Sequence, residues 1–152
     1  MTAIEVEALL RDIHDPEIPA VSIVDLGMVE QVTCQEDRVS VSLIPTFVGC
    51  PAQRLIAGQV KRRLEQQYPD VRVEVEFSLS PAWTSSRITD AGRKALKGSG
   101  IAPPGRDLDD VACPYCGQRD TVMQNLFAST SCRSLYYCRS CRNPFEAFKP
   151  IA

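Results

Sequence analysis

Val39-Ser40-Val41-Ser42-Leu43-Ile44-Pro45-Thr46-Phe47-Val48-Gly49-Cys50-Pro51 joins two kinds of local structure within thirteen residues. Val39 to Ile44 alternates apolar with polar residues, the period of a half-buried strand. Pro51 suits a first helical position, where no amide hydrogen is missed, and Gly49 permits a tight turn or a close backbone approach. This reading predicts strand, turn, helix, with Cys50 near the helix N-cap. Unpaired amide hydrogens and the positive end of the helix dipole favour a thiolate there, the form that acts as nucleophile and metal ligand. A buried, inert small hydrophobe is the other reading of Cys50, and position alone leaves both open.

Working outward, Leu55, Ile56, Val60 and Leu64 have helical spacing, which predicts a helix from Pro51 to Gln67, ending before Pro69. Val71, Val73, Val75 and Phe77 then alternate with Arg72, Glu74, Glu76 and Ser78, the clearest strand of the chain. The strands on either side of this helix can form a parallel pair. Upstream, Val29–Gln35 and Arg38–Ile44 read as a hairpin joined near Glu36-Asp37. Thr2 with Glu5 has capping-box spacing ahead of Ile4, Ala8, Leu9 and Ile13, which predicts a first helix over 2–13. Two prolines in His14-Asp15-Pro16-Glu17-Ile18-Pro19 disfavour both helix and central strand. A short amphipathic helix holding Ile88, Ala91, Ala95 and Leu96 stops at Gly98-Ser99-Gly100. Ile101-Ala102-Pro103-Pro104-Gly105 reads as a linker, extended by the acidic run Asp107 to Asp110. The expected architecture is α+β, a small mixed sheet packed with helices over 1–105, followed by a C-terminal four-cysteine ribbon over 106–152.

At 152 residues, 44% hydrophobic and 24% charged, the chain is long enough for one domain with a core and a small appendage. No run approaches transmembrane length, and the first ten residues carry two glutamates rather than a basic signal start, so a cytoplasmic protein without membrane contact is expected. The net charge of −2 divides unevenly: 1–110 carries 12 Lys/Arg against 17 Asp/Glu, and 111–152 carries 5 against 2. Five scattered basic residues fall short of a phosphate-tracking stripe, so nucleic acid is disfavoured as a partner.

Seven cysteines include two Cys-x-x-Cys pairs, Cys113/Cys116 and Cys138/Cys141, separated by 21 residues. In each knuckle both sulfurs can point at one ion, and four thiolates complete a tetrahedral shell that suits structural zinc. Iron in the same shell would make a rubredoxin-like electron carrier. Thr121–Ala128, Leu135–Tyr137 and Pro144–Phe148 are the candidate ribbon strands. Cys132 is surplus to the shell, either a packed small residue or an additional thiol that handles metal. Cys34 falls in a predicted strand and reads as structural. His14, the only histidine, reads as a solvated turn residue, Trp83 as core or contact surface, and Lys61-Arg62-Arg63 as a solvated helix face. The chain has no Gly-rich phosphate loop, no His-Glu-x-x-His helix and no Gly-x-Ser-x-Gly elbow, and a non-catalytic role is expected.

Asp15-Pro16-Glu17, Val24-Asp25-Leu26-Gly27-Met28-Val29 and Pro45-Thr46-Phe47-Val48-Gly49-Cys50-Pro51 together resemble the SufT-type iron-sulfur assembly domain. The tail, with Ser129-Thr130-Ser131-Cys132-Arg133 and Pro144-Phe145-Glu146-Ala147-Phe148-Lys149, resembles the zinc ribbon of the PaaD family of the phenylacetyl-CoA epoxidase system. The resemblance implies an accessory factor in phenylacetate catabolism that assists maturation of the oxygenase or the reductase component. It places the family's characteristic cysteine at Cys50 and its acidic loop residue at Asp25, with iron or an iron-sulfur cluster as transient cargo. A purely structural subunit of the epoxidase and a homo-oligomer stay open at this stage.

Overall fold

A computed structural model describes residues 1–47 and 51–151, so Val48, Gly49 and Cys50 lie outside the described residues. The chain divides into two compact units, Met1–Trp83 and Thr84–Ala152. No helix among the described residues is long and apolar enough to cross a membrane.

The first unit opens with α1, Ala3–Leu10, whose N-cap Thr2 makes the capping box expected from its spacing to Glu5. The Glu5 amide donates to Thr2 Oγ1 at 3.2 Å, and the Thr2 amide donates to Glu5 Oε2 at 2.9 Å. The buried stripe of α1 is Val6 and Leu10 rather than the Ile4-Ala8 face, and Ile4 is 81% exposed. Val6 and Leu10 are four residues apart and stack on one side, whereas a face containing Ile4 would bury the small Ala8 in place of Leu10.

The proline-containing segment that follows forms a short antiparallel ribbon, β1 (His14–Asp15) and β2 (Ile18–Ser22), with an irregular register between His14 and Asp15. Two-stranded ribbons leave outward amides unpaired in any case, so proline is tolerated there although a central strand would exclude it. The main sheet has the order β3-β4-β5, with β3 at Val29–Cys34, β4 at Arg38–Leu43 and β5 at Arg72–Phe77. β4 pairs antiparallel with β3 and parallel with β5, in register from Arg38↔Arg72 to Leu43↔Phe77. The parallel pair needs a crossover, and α2 (Gln53–Gln67) supplies it, as the flanking periodicities implied. Val39, Val41 and Leu43 point into the core from β4, while α2 buries Ile56, Val60 and Leu64 and leaves Leu55 half exposed.

The second unit begins with a 3-10 turn, Ser85–Arg87, and α3, Asp90–Gly98, capped by Thr89 through the Gly92 amide at 3.0 Å. Its sheet has the order β6-β9-β8-β7: Ile101–Ala102, Pro144–Phe148, Arg133–Cys138 and Thr121–Asn125. β6 corrects the linker reading of Ile101–Gly105. Ile101 and Ala102 are buried and pair parallel with Glu146 and Ala147, so they belong to the sheet rather than to a linker. The two prolines after Ala102 cannot extend the pairing, which keeps this strand to two residues. Tyr136 and Phe145, paired across β8 and β9, stack at 5.8 Å between ring centroids with Val111, Ala102 and Ala147 around them.

Candidate functional site

Two constellations carry chemistry. The first is the cysteine cluster of the second unit. The Sγ atoms of Cys113, Cys116, Cys138 and Cys141 all lie within 4.8 Å of one another, with Cys113–Cys141 and Cys116–Cys138 at 3.6 Å. A tetrahedral ion with sulfur ligands at about 2.3 Å holds them about 3.8 Å apart, so these four are gathered at the spacing from which such a shell closes. A disulfide would need about 2.05 Å, and the six described cysteines are all thiols.

The local backbone explains the convergence. The Gly117 amide donates to the Cys113 carbonyl at 2.9 Å, the Cys113 amide to the Gln118 carbonyl at 2.9 Å, and the Cys138 amide to the Asn143 carbonyl at 3.0 Å. Each knuckle is thereby closed into a tight turn. The Tyr115 amide and the Asn143 side-chain amide also donate to sulfur, to Cys113 and Cys141, both at 3.4 Å. Burial pushes the Cys141 thiol up, but the Asn143 hydrogen bond and the neighbouring thiols outweigh it and bring it down to about 7. For Cys116 the Gln118 amide favours the thiolate, yet desolvation and three crowded thiols push it up to about 11. Four thiolates this close repel one another unless a cation sits between them, which is the electrostatic signature of a metal site.

The second constellation is the turn at Val24-Asp25-Leu26-Gly27-Met28. Gly27 has φ of 73°, a conformation that glycine adopts without strain. Asp25 is held by Arg11, whose guanidinium lies 3.1 Å from Oδ1, and by Ser22 Oγ, which donates to Oδ2 at 3.3 Å and accepts from the Asp25 amide at 3.1 Å. The Trp83 indole donates to the Leu26 carbonyl at 2.7 Å, and the Ile44 amide to the Met28 carbonyl at 2.8 Å. The Ile44 bond fastens the acidic turn to the end of β4. The buried Pro45 and Thr46 follow there, and the Gln53 side chain donates to the Phe47 carbonyl at 3.5 Å. Cys50 lies outside the described residues. α2 begins at Gln53 with Ala52 as N-cap, two residues later than the Pro51 start expected from sequence. Ala52 brings no side-chain acceptor, and the helical bonding starts with the Ile56 amide on its carbonyl at 2.9 Å.

Residues 102–149 match the PaaD zinc beta ribbon domain family, and residues 4–77 match the iron-sulfur cluster assembly protein family. A protein of Escherichia coli (strain K12), provisionally named as a subunit of 1,2-phenylacetyl-CoA epoxidase, is 39% identical over 97% of this chain and 92% of its own length. The chain belongs to the PaaD family. The Fe-S protein maturation auxiliary factor YitW of Bacillus subtilis (strain 168) is 34% identical over 57% of the chain and 85% of that protein. The crystal structure of a domain of unknown function from Bacillus anthracis is 33% identical with a TM-score of 0.58, covering 61% of this chain and 89% of that one. PaaD membership thus joins an assembly-type unit to a ribbon with a four-thiol metal site.

The remaining residues singled out from sequence fall elsewhere. Cys132 immediately precedes β8 while Cys138 ends it, and six strand residues span about 20 Å, so Cys132 is remote from the four-thiol cluster. It is buried, with Thr130 Oγ1 3.0 Å from its sulfur. Cys34 is half-buried opposite Val39. Trp83 is core, 4% exposed. His14 is exposed, its Nδ1 2.6 Å from the Pro19 carbonyl. Sequence reading passed over Arg11 and Asn143. Arg11 meets Asp25 only through the tertiary fold, whereas Asn143, two residues past Cys141, was within reach of a local rule.

Proposed function

We propose that this chain is a non-catalytic accessory factor of the phenylacetyl-CoA epoxidase system, which assists metal or iron-sulfur maturation of the oxygenase or the reductase component. The observation that carries this reading is the union, in one chain, of an assembly-type unit at 4–77 and a PaaD zinc ribbon at 102–149. The relative named for the epoxidase aligns over 97% of the chain, and a relative named for Fe-S maturation aligns over 57% of it.

In this reading iron or a cluster is cargo, and Cys50 with Asp25 receives and releases it. The support is chemical. A thiolate binds such cargo, and Asp25 sits on a turn braced by Arg11, Ser22 and the Trp83 indole and tied to Ile44, six residues before Cys50. Cys113, Cys116, Cys138 and Cys141 would hold zinc, which supplies a structural cross-link rather than reactivity. Free thiols at the six described cysteines suit the cytoplasm as the place of action.

The test is co-expression of the oxygenase and reductase components without this chain, with it, and with Cys50→Ser, followed by iron and sulfide quantification on each component. Cys50→Ser should leave client loading at the level found without the chain. Full loading of both components in the variant overturns the reading. A second reading, a stoichiometric structural subunit, is favoured by the word subunit in the Escherichia coli relative's name. It predicts co-purification with active oxygenase in fixed ratio, undisturbed by Cys50→Ser.

A further inference from the structure

Between β7 and β8 the chain displays Leu126 and Phe127 to solvent, 44% and 60% exposed. Singly exposed apolar side chains are ordinary on a protein surface. This loop is held from several sides. The Glu146 carboxylate accepts from the Ser129 amide at 3.1 Å and from Ser129 Oγ at 3.0 Å, and it pairs with Arg133 at 2.9 Å. Arg133 Nε donates to Thr130 Oγ1 at 3.0 Å. The Leu126 carbonyl accepts from the buried Ser134 hydroxyl at 2.8 Å, and the Phe127 amide donates to Asn125 Oδ1 at 2.9 Å. Lys149 Nζ donates to the Ser131 carbonyl at 2.7 Å and rests 4.1 Å from the centroid of the Phe127 ring.

The geometry points to Leu126 and Phe127 as a preorganised docking knob, with Lys149 beside it, for an apolar pocket with an acidic rim on a protein partner. Three observations choose that occupant. Bracing removes in advance the ordering cost that a flexible loop meets on binding, and aromatic side chains dominate such contacts. The local charge is a cation, the Lys149 ammonium 4.1 Å from the centroid of the Phe127 ring, and an acidic rim would meet it. Desolvation already lowers the pKa of Lys149, so a facing carboxylate gains from a partly dried cation.

The proposal deepens the accessory-factor reading and rests on it for the source of the partner, a component of the epoxidase. The test uses the full chain, wild type and variant, titrated against purified oxygenase and reductase components at low and high salt. Wild type should bind one component with an affinity that falls as salt rises. Phe127→Ala should weaken binding at least tenfold, Phe127→Glu more than that, and Phe127→Leu should recover most of it. Zinc content and circular dichroism should match wild type in all three, because the ring is outside the core. Equal affinity of wild type and Phe127→Ala overturns the proposal. So does the absence of wild-type binding to any component, Phe127-dependent self-association without client binding, or Phe127-dependent binding to single-stranded RNA. The two readings fail separately. Loss of docking in Phe127→Ala together with client loading that never depends on the chain sinks maturation alone, and chain-dependent loading with a Phe127-insensitive affinity sinks the knob alone.

Discussion

Gly117 and Arg142 occupy the same place in the two metal knuckles, one residue past the second cysteine, and both have left-handed backbones, with φ of 77° and 59°. One knuckle uses the residue that adopts this conformation without strain, and the other forces it on a side chain at a cost of about 1–2 kcal/mol. Arg142→Gly should therefore stabilise the second unit, by less than about 1 kcal/mol because glycine also loosens the unfolded chain. Gly117→Ala should destabilise it by about 1 kcal/mol through the backbone alone, since nothing lies within 4 Å of the added carbon. Thermal unfolding of the zinc-loaded variants reads both, and a stabilised Gly117→Ala would contradict the equivalence.

At two other positions the value of glycine differs in sign from one to the other. At Gly105 an added Cβ would collide with the Asp110 carbonyl oxygen, which is backbone and cannot step aside. Gly105→Ala should break the Arg106–Asp110 turn and cost about 2 kcal/mol or more, in the range of overpacked sites. Gly58 lies inside α2, and a methyl group added there would meet nothing within 4 Å, so Gly58→Ala should gain about 0.8–1 kcal/mol from helix propensity. Denaturant midpoints of the two single variants should move in opposite directions.

Local rules made most of the elements legible. The Thr2/Glu5 spacing foretold the capping box, the alternation of Val73 and Val75 with Glu74 and Glu76 foretold β5, and strand, helix, strand foretold the parallel pair. Long-range choices were not legible. The period of α1 allows more than one apolar face, and only packing selects Val6 and Leu10. Ile101-Ala102 is too short to show a period, and its strand identity comes from pairing with β9, more than forty residues downstream. At the sites, thiol spacing announced the cluster because metal geometry is local. The Asp25–Arg11 pair joins a helix end to a distant turn, and no spacing rule encodes that.

Asp110 accepts from the Arg106 amide at 2.9 Å and from Arg106 Nε at 3.1 Å, and it also pairs with Arg119. The Arg106 amide, followed by the two guanidinium groups, holds its carboxyl down at about 2, against an ordinary value of 3.8. The folded value lies below the unfolded one, so the ionised form favours folding. That contribution is complete above about pH 4 and is lost as pH falls toward 2. Carboxyl carbon chemical shifts followed down in pH should show Asp110 titrating at about 2. Arg119→Gln should raise its midpoint toward the ordinary value, and an unshifted midpoint would mean that the guanidinium does not stabilise the carboxylate.

The metal's contribution should be confined to the ribbon. Cys113 and Cys138 are buried in one cluster with Val111 and Tyr136, and Cys141 packs against it, so these ligands belong to the same small core they would cross-link. Each lost ligand exposes that core, because 69 residues with short strands bury little apolar surface of their own. Chelation, or Cys113→Ser, should abolish the near-ultraviolet signal of the stacked Tyr136–Phe145 pair and the amide protection of β7, β8 and β9. The first unit contributes none of the four ligands, and its buried Trp83, the only tryptophan in the chain, reports on it by fluorescence. That emission should stay where it is when zinc is removed, and readdition of zinc alone should restore the ribbon. A red ferric chromophore in protein purified with its metal would mean that iron occupies the four thiols, and a ribbon that keeps its protection after chelation would mean that the aromatic core holds without any ion.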